Sequence, residues 1–127
     1  MRLLLDTHTF LWWLGESRRL GPKARSALSD PTNEVYVSAA SAWEIAVKRA
    51  AGKLEAPGEI SSWIQDSDFR ELPIEVEHAV AAAELPRHHT DPFDRMLVAQ
   101  AQIDDLTLVV DDEQIRKYDV PQLDARR

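Results

Sequence analysis

Three short apolar runs constrain this chain more than any other feature. Leu3-Leu4-Leu5, Val35-Tyr36-Val37 and Thr107-Leu108-Val109-Val110 are strand-length and nearly continuous in hydrophobicity. Such runs suit strands covered on both faces, as in parallel sheets. Helical patterns fill the spaces between them. Phe10 to Leu14 reads as a helix stopped near Gly15, and Pro22 opens another through Leu28, ended by Asp30-Pro31. Ser38 caps a long helix that runs to Gly52. A shorter helix is expected over Glu59–Gln65, an extended segment over Phe69–Ile74 and an alanine-rich helix over Glu75–Leu85. Asp91 is a good N-cap and Pro92 suits the first helical position, so a further helix runs to about Ile103. Ile115 to Tyr118 reads as a helical turn. Strand and helix in alternation predict an α/β fold, a central short-stranded parallel sheet between helical layers. The 127 residues suffice for one domain with a single core, so residues 1–127 are expected to fold as one unit.

Composition removes several classes of function. There is no cysteine, so disulfides, zinc–thiolate sites and thiol catalysis are excluded, and a metal would need oxygen or imidazole ligands. The formal charge of -7 argues against a general nucleic-acid binder, although a local basic rim around an acidic site can still take a phosphodiester. Met1-Arg2 precedes only three leucines, too few for a signal-peptide core. No run approaches the ~18 apolar residues of a membrane span. A cytoplasmic location is the default expectation.

The acids carry the chemical signal. Asp6 directly follows the first apolar run, and Asp111 and Asp112 follow the third. In open parallel sheets the working crevice lies at the carboxyl ends of the strands. Asp94 opens a helix of largely apolar character, with Leu97, Val98 and Ala101 on its own face. Glu44 borders the apolar stripe Ala40, Trp43, Val47 and Ala50, about 100° round from Trp43. Each acid also has a local role: Asp6 and Asp112 as caps or turn residues, Asp94 as the return acid of a capping box with Asp91, Glu44 as partner of Lys48. If the fold gathers these carboxylates, like charges at ~4 Å repel by a few kcal/mol at an effective dielectric near 20. Such a cluster persists by raising pKa values or by binding a cation. All-oxygen ligands favour Mg²⁺ or Mn²⁺, and the matching reaction is hydrolysis of a phosphodiester.

The residues carry a family resemblance. Leu4-Leu5-Asp6-Thr7-His8, Ser38-Ala39-Ala40-Ser41-Ala42-Trp43-Glu44-Ile45, His89-Thr90-Asp91-Pro92-Phe93-Asp94-Arg95 and Leu108 to Asp112 occur in this order and span nearly the whole chain. Together they resemble the PIN-domain ribonucleases, in particular the VapC-type toxins of bacterial and archaeal toxin–antitoxin pairs. The resemblance implies a flavodoxin-like α/β/α fold and Mg²⁺- or Mn²⁺-dependent endonuclease activity on RNA. It implies an acidic quartet of Asp6, Glu44, Asp94 and Asp112. Asp6 and Asp94 would be the main direct ligands, and Glu44 and Asp112 would bind a metal or hold its waters. Asp112 matches better than Asp111, since the family's acid stands three residues before an apolar position, here Ile115. Many relatives carry Thr or Ser where this chain has Val110, and Asp111 is a candidate to take over that polar role. The resemblance further implies a homodimer and a cognate antitoxin whose C-terminal segment lies across the active site.

Softer candidates surround the quartet. Thr7 can offer its hydroxyl to a metal shell or cap a helix. Arg87, His88, His89 and Arg95 are candidate RNA-phosphate contacts, with Lys48, Arg49 and Lys53 as a basic rim. Trp12, Trp13, Trp43 and Trp63 suit a core or an interface better than base stacking. Adjacent Trp12 and Trp13 point about 100° apart, which favours a partner surface unless the helix is covered all round. Two other functions compete. A phosphatase with Asp6 as covalent nucleophile needs a second aspartate two residues on, and His8 stands there. A non-enzymatic binding domain needs only that every acid serve its local role.

Overall fold

The computed structural model describes all 127 residues. Its centre is β1 (Arg2–Leu5), whose three leucines have no exposed surface. Side chains alternate across a strand, so Leu3 and Leu5 enter one core and Leu4 the other. The remaining elements are α1 (Thr7–Leu14), α2 (Pro22–Ser29), β2 (Glu34–Ser38), α3 (Ala39–Ala50), α4 (Ile60–Asp66), β3 (Arg70–Leu72), α5 (Val76–Glu84), α6 (Pro92–Asp104), β4 (Thr107–Val110) and β5 (Gln122–Asp124), with a 3₁₀ turn at Ile115–Lys117. The five strands form one parallel sheet in the order β3-β2-β1-β4-β5. Phe10, Ala24, Leu28 and Ile64 cover one face from α1, α2 and α4. Ala82, Leu97, Val98 and Ala101 cover the other from α5 and α6. This is the α/β/α arrangement expected from the strand–helix alternation.

The order of strands locates the crevice. From β1 the chain moves to β2 and β3 on one side, then crosses to β4 and β5 on the other. The direction reverses between β1 and β4, which splays the loops at their carboxyl ends. Leu5 is in register with Val37 and Val109, and Asp6 N–H continues the ladder to Val109 O at 3.2 Å. Asp6 and the Asp111-Asp112 corner therefore leave the sheet side by side.

Three differences from the sequence expectations have clear causes. β5 had no signal, because Gln122-Leu123-Asp124 is a half-buried edge strand with a single apolar residue. The stripe assigned to α3 faces the wrong way. Trp43 and Val47 are 60% and 45% exposed, while Ala40, Ser41, Glu44 and Ile45 are buried. Ser38 fixes this rotation by accepting from Ala40 N–H and bonding Gln100 Oε1, which locks the start of the helix. Polar contacts of Ser41 and Glu44 across to α1 then hold the polar side inward. The third difference concerns Trp12 and Trp13, which are both half-buried against other parts of the chain. Trp13 packs on Phe69 at 5.3 Å and donates to Ser67 Oγ, while Trp12 lies under Arg126 at 5.8 Å. The C-terminal segment covers the helix face that periodicity alone leaves open.

Candidate active site

Four acids reach the switch point from four different elements. Asp6 is the N-cap of α1, 3% exposed, and its Oδ1 accepts from Thr9 N–H at 2.8 Å. A capping carboxylate uses one oxygen, so the cap leaves the other available. Glu44 is 6% exposed on α3. Its Oε1 accepts from the Thr7 hydroxyl at 2.6 Å and its Oε2 from Lys48 Nζ at 2.9 Å. Ser41 Oγ lies 3.0 Å from the Thr7 oxygen and closes this small network. Thr7 is thus a positioning group for Glu44 rather than a helix cap.

Asp94 stands in the first turn of α6. The capping-box expectation fails for it: Asp91 caps the helix by accepting from Phe93 and Asp94 N–H, and the Asp94 carboxylate returns no bond. Its nearest polar partner is His89 Nε2, 3.5 Å from Oδ2. Asp112 follows β4, partly buried, with Oδ1 accepting from Gln114 N–H at 2.8 Å. Asp111 turns the other way, toward Arg116 at 3.8 Å and Arg126 at 3.9 Å. It does not replace the hydroxyl absent at Val110, which is buried in the core.

The electrostatics report the convergence. Burial pushes the Asp94 carboxyl up to about 8, and the charges of Asp91, Asp6, Asp112 and Glu44 push in the same direction. Asp6 is raised as well, by burial first and also by Asp112, against the opposing bond from Thr9 and the charge of His8. Asp94 thus lies within the field of Asp6, Glu44 and Asp112, and Asp6 within that of Asp112. Of the four, Glu44 alone has an amino-group partner within ion-pair distance, the Lys48 ammonium. As placed, no three of these side chains enclose a volume tight enough for an ion. The donor set nonetheless suits a hard divalent cation, being all carboxylate oxygen with unbalanced negative charge.

The nominated cations divide sharply. Arg95 points away from the site and binds backbone: its guanidinium donates to the carbonyls of Ala82, Leu85, Pro86 and His89 and to Tyr118 Oη. Arg49 donates to the carbonyls of Ala56 and Gly58 and lies over Trp63. Arg95, a candidate phosphate contact, and Arg49, a candidate of the basic rim, thus both spend their guanidinium donors on the fold. Arg87, His88 and Lys53 remain exposed. Tyr118, buried behind Asp94, was missed, since nothing in its local sequence marks a hydroxyl that reaches His89 and Arg95.

A parallel sheet of this order with four acids at its switch point defines a class, and the chain belongs to the PIN-domain family: the PIN domain model matches residues 3–121. Within it, the chain is similar to Ribonuclease VapC22 of Mycobacterium tuberculosis, 30% identical over 122 residues, 94% of this chain and 93% of that protein. Among solved structures, VapBC2 from Rickettsia felis bound to a fragment of its promoter DNA has a TM-score of 0.71 at 12% identity, covering 97% of this chain and 98% of that one. A toxin–antitoxin complex from Klebsiella pneumoniae gives a TM-score of 0.67 at 18% identity, covering 97% of both chains. At those identities the structural likeness speaks to the fold.

Proposed function

We propose that this protein is an Mg²⁺- or Mn²⁺-dependent endoribonuclease, the toxin of a toxin–antitoxin pair. The observation that carries the reading is the placement of the Asp94 carboxyl at the switch point of the sheet, where burial first, then the charge of Asp91 and those of Asp6, Asp112 and Glu44, push it upward. Protein interiors do not gather uncompensated carboxylates without a compensating ligand or function. The similarity to a ribonuclease over nearly the full length supports RNA as substrate. The toxin–antitoxin complex among the structural neighbours supports an antitoxin partner.

In this reading Asp6 and Asp94 are the direct metal ligands, and Glu44 and Asp112 complete the shell or hold its waters. When bound, the divalent ion lowers the pKa of a water and offsets charge on the leaving oxygen. Thr7 and Lys48 fix both oxygens of Glu44, so its carboxylate is oriented before substrate arrives. Asp6 is oriented by its bond to Thr9 N–H, and Asp112 by its bond to Gln114 N–H. Exposed Arg87, His88 and Lys53 supply the local basic rim for RNA phosphates in a chain of net charge -7. The homodimer and cytoplasmic location belong to the same reading. Exposed Trp43 and Val47 offer apolar surface for a protein contact, and no helix is long and apolar enough to cross a membrane.

Single-turnover cleavage of RNA with Mn²⁺, with and without EDTA, tests the proposal. Cleavage that stops in EDTA and in Asp6→Asn and Asp94→Asn, with both variants folded, is the expected result. Equal cleavage with the chelator, or full activity in either variant, overturns it.

A further inference from the structure

Behind Asp94 lies a chain of polar groups that no role described so far uses. Arg95 Nη1 stands 3.1 Å from Tyr118 Oη, Tyr118 Oη stands 2.9 Å from His89 Nδ1, and His89 Nε2 stands 3.5 Å from Asp94 Oδ2. Tyr118 is 4% exposed, and the side chains of His89 and Asp94 are 14% and 17% exposed. The direction of the chain follows from donor inventory. A guanidinium donates and never accepts, so Tyr118 Oη accepts from Arg95. The recorded partners of the phenol oxygen are Arg95 Nη1 and His89 Nδ1, so the one acceptor in reach of its own proton is Nδ1. A neutral imidazole that accepts at Nδ1 carries its proton on Nε2, the nitrogen facing Asp94. Nε2 is buried and has no hydrogen-bond partner as it stands. At 3.5 Å from Oδ2 it is the polar group next to the carboxylate, beyond the usual length of a formed bond.

We propose that His89 is the positioning residue of Asp94, held in its Nε2–H form by Tyr118 and, behind it, by Arg95. Its Nε2–H takes one carboxylate oxygen and turns the other into the crevice. A buried donor without a partner is costly, which favours the carboxylate rotamer that satisfies it. The same network ties the loop before α6 to the segment after β4, since Arg95 also donates to the carbonyl of His89. The sense of the hydrogen bonds is a property of the metal-free protein. Its consequence for metal binding rests on the ligand role given to Asp94 above.

Two measurements separate those layers. Long-range ¹H–¹⁵N correlation spectra of the metal-free protein read the tautomer of His89 directly. The expected result is a single Nε2–H form in the wild type and a mixture of tautomers in Tyr118→Phe, which keeps the ring but lacks the proton. An Nδ1–H form in the wild type, or no change in Tyr118→Phe, overturns the proposal. Calorimetric titration with Mn²⁺ alone reads the consequence. His89→Ala is expected to bind Mn²⁺ 10- to 100-fold more weakly, and Tyr118→Phe to lose less. Unchanged Mn²⁺ affinity in folded His89→Ala overturns the positioning role. If Asp94→Asn binds Mn²⁺ like the wild type, the ligand assignment fails instead, while the tautomer result stands by itself. Thermal unfolding of each variant controls for general loss of structure, and Tyr118→Phe keeps the test decisive if His89→Ala does not fold.

Discussion

Thr7 Oγ1 lies 2.6 Å from Glu44 Oε1, joining the first turn of α1 to the middle of α3 across the end of the sheet. Both residues are buried, and Glu44 has the Lys48 ammonium on its other oxygen. Removing the hydroxyl strips a charged buried acceptor of one of its two partners. Thr7→Val, nearly isosteric, is therefore expected to lower stability by about 2 kcal/mol and to lower RNA cleavage with it. Denaturant titration and single-turnover rates check the two effects, and a variant as stable and active as the parent contradicts the network.

The raised Asp94 carboxyl sets a pH dependence whose sign is fixed. Its ordinary value is 3.8 and its value in the fold is about 8. The folded state therefore keeps a proton that the unfolded chain releases, and the metal-free protein loses stability as pH rises from about 4 to about 8. Asp94→Asn removes this loss. The metal-free variant should be more stable than the wild type near pH 8, with the gap shrinking toward pH 4. Paired urea melts across that range measure it, and a gap that grows on acidification contradicts the assignment.

Metal competes with that proton. The apparent Mn²⁺ affinity of the wild type should rise with pH toward about 8, the value at which Asp94 ionises, and the share of proton release that Asp94 contributes should fade above it. Calorimetry in buffers of different ionisation enthalpy counts the protons.

The two aspartates after β4 should separate cleanly. Asp112→Asn is expected to abolish cleavage, whereas Asp111→Asn, whose carboxylate faces Arg116 and Arg126 outside the site, should retain most of it. Its exposed ion pairs contribute little, about 0–1 kcal/mol. Parallel cleavage assays decide, and the reverse order would move the fourth acid to position 111.

Arg95 should behave as a structural residue. Its fork satisfies four carbonyls and a phenol, a geometry that an ammonium cannot reproduce. Arg95→Lys is expected to cost about 3 kcal/mol of stability and to leave the salt dependence of RNA binding unchanged. A reduced salt slope with unchanged stability would return Arg95 to the phosphate-binding rim.

Much of this protein was legible in its sequence. The apolar runs at Leu3, Val35 and Leu108 dictated buried parallel strands, and the residues after them placed Asp6 and Asp112 at the carboxyl ends. Capping signals located the starts of α2, α3 and α6, because those depend on neighbours a few residues away, whereas α1 begins at Thr7, three residues before the expected Phe10. Other features depend on which elements meet. The rotation of α3 buried Glu44 and exposed Trp43, against the local apolar pattern, because Ser38 and Thr7 hold it from outside the helix. The duty of Arg95 was decided by the carbonyls that the α5–α6 loop turns toward it, and that of Tyr118 by a histidine 29 positions earlier. Periodicity reports only local chemistry, whereas the partner of a buried polar group is chosen by long-range packing.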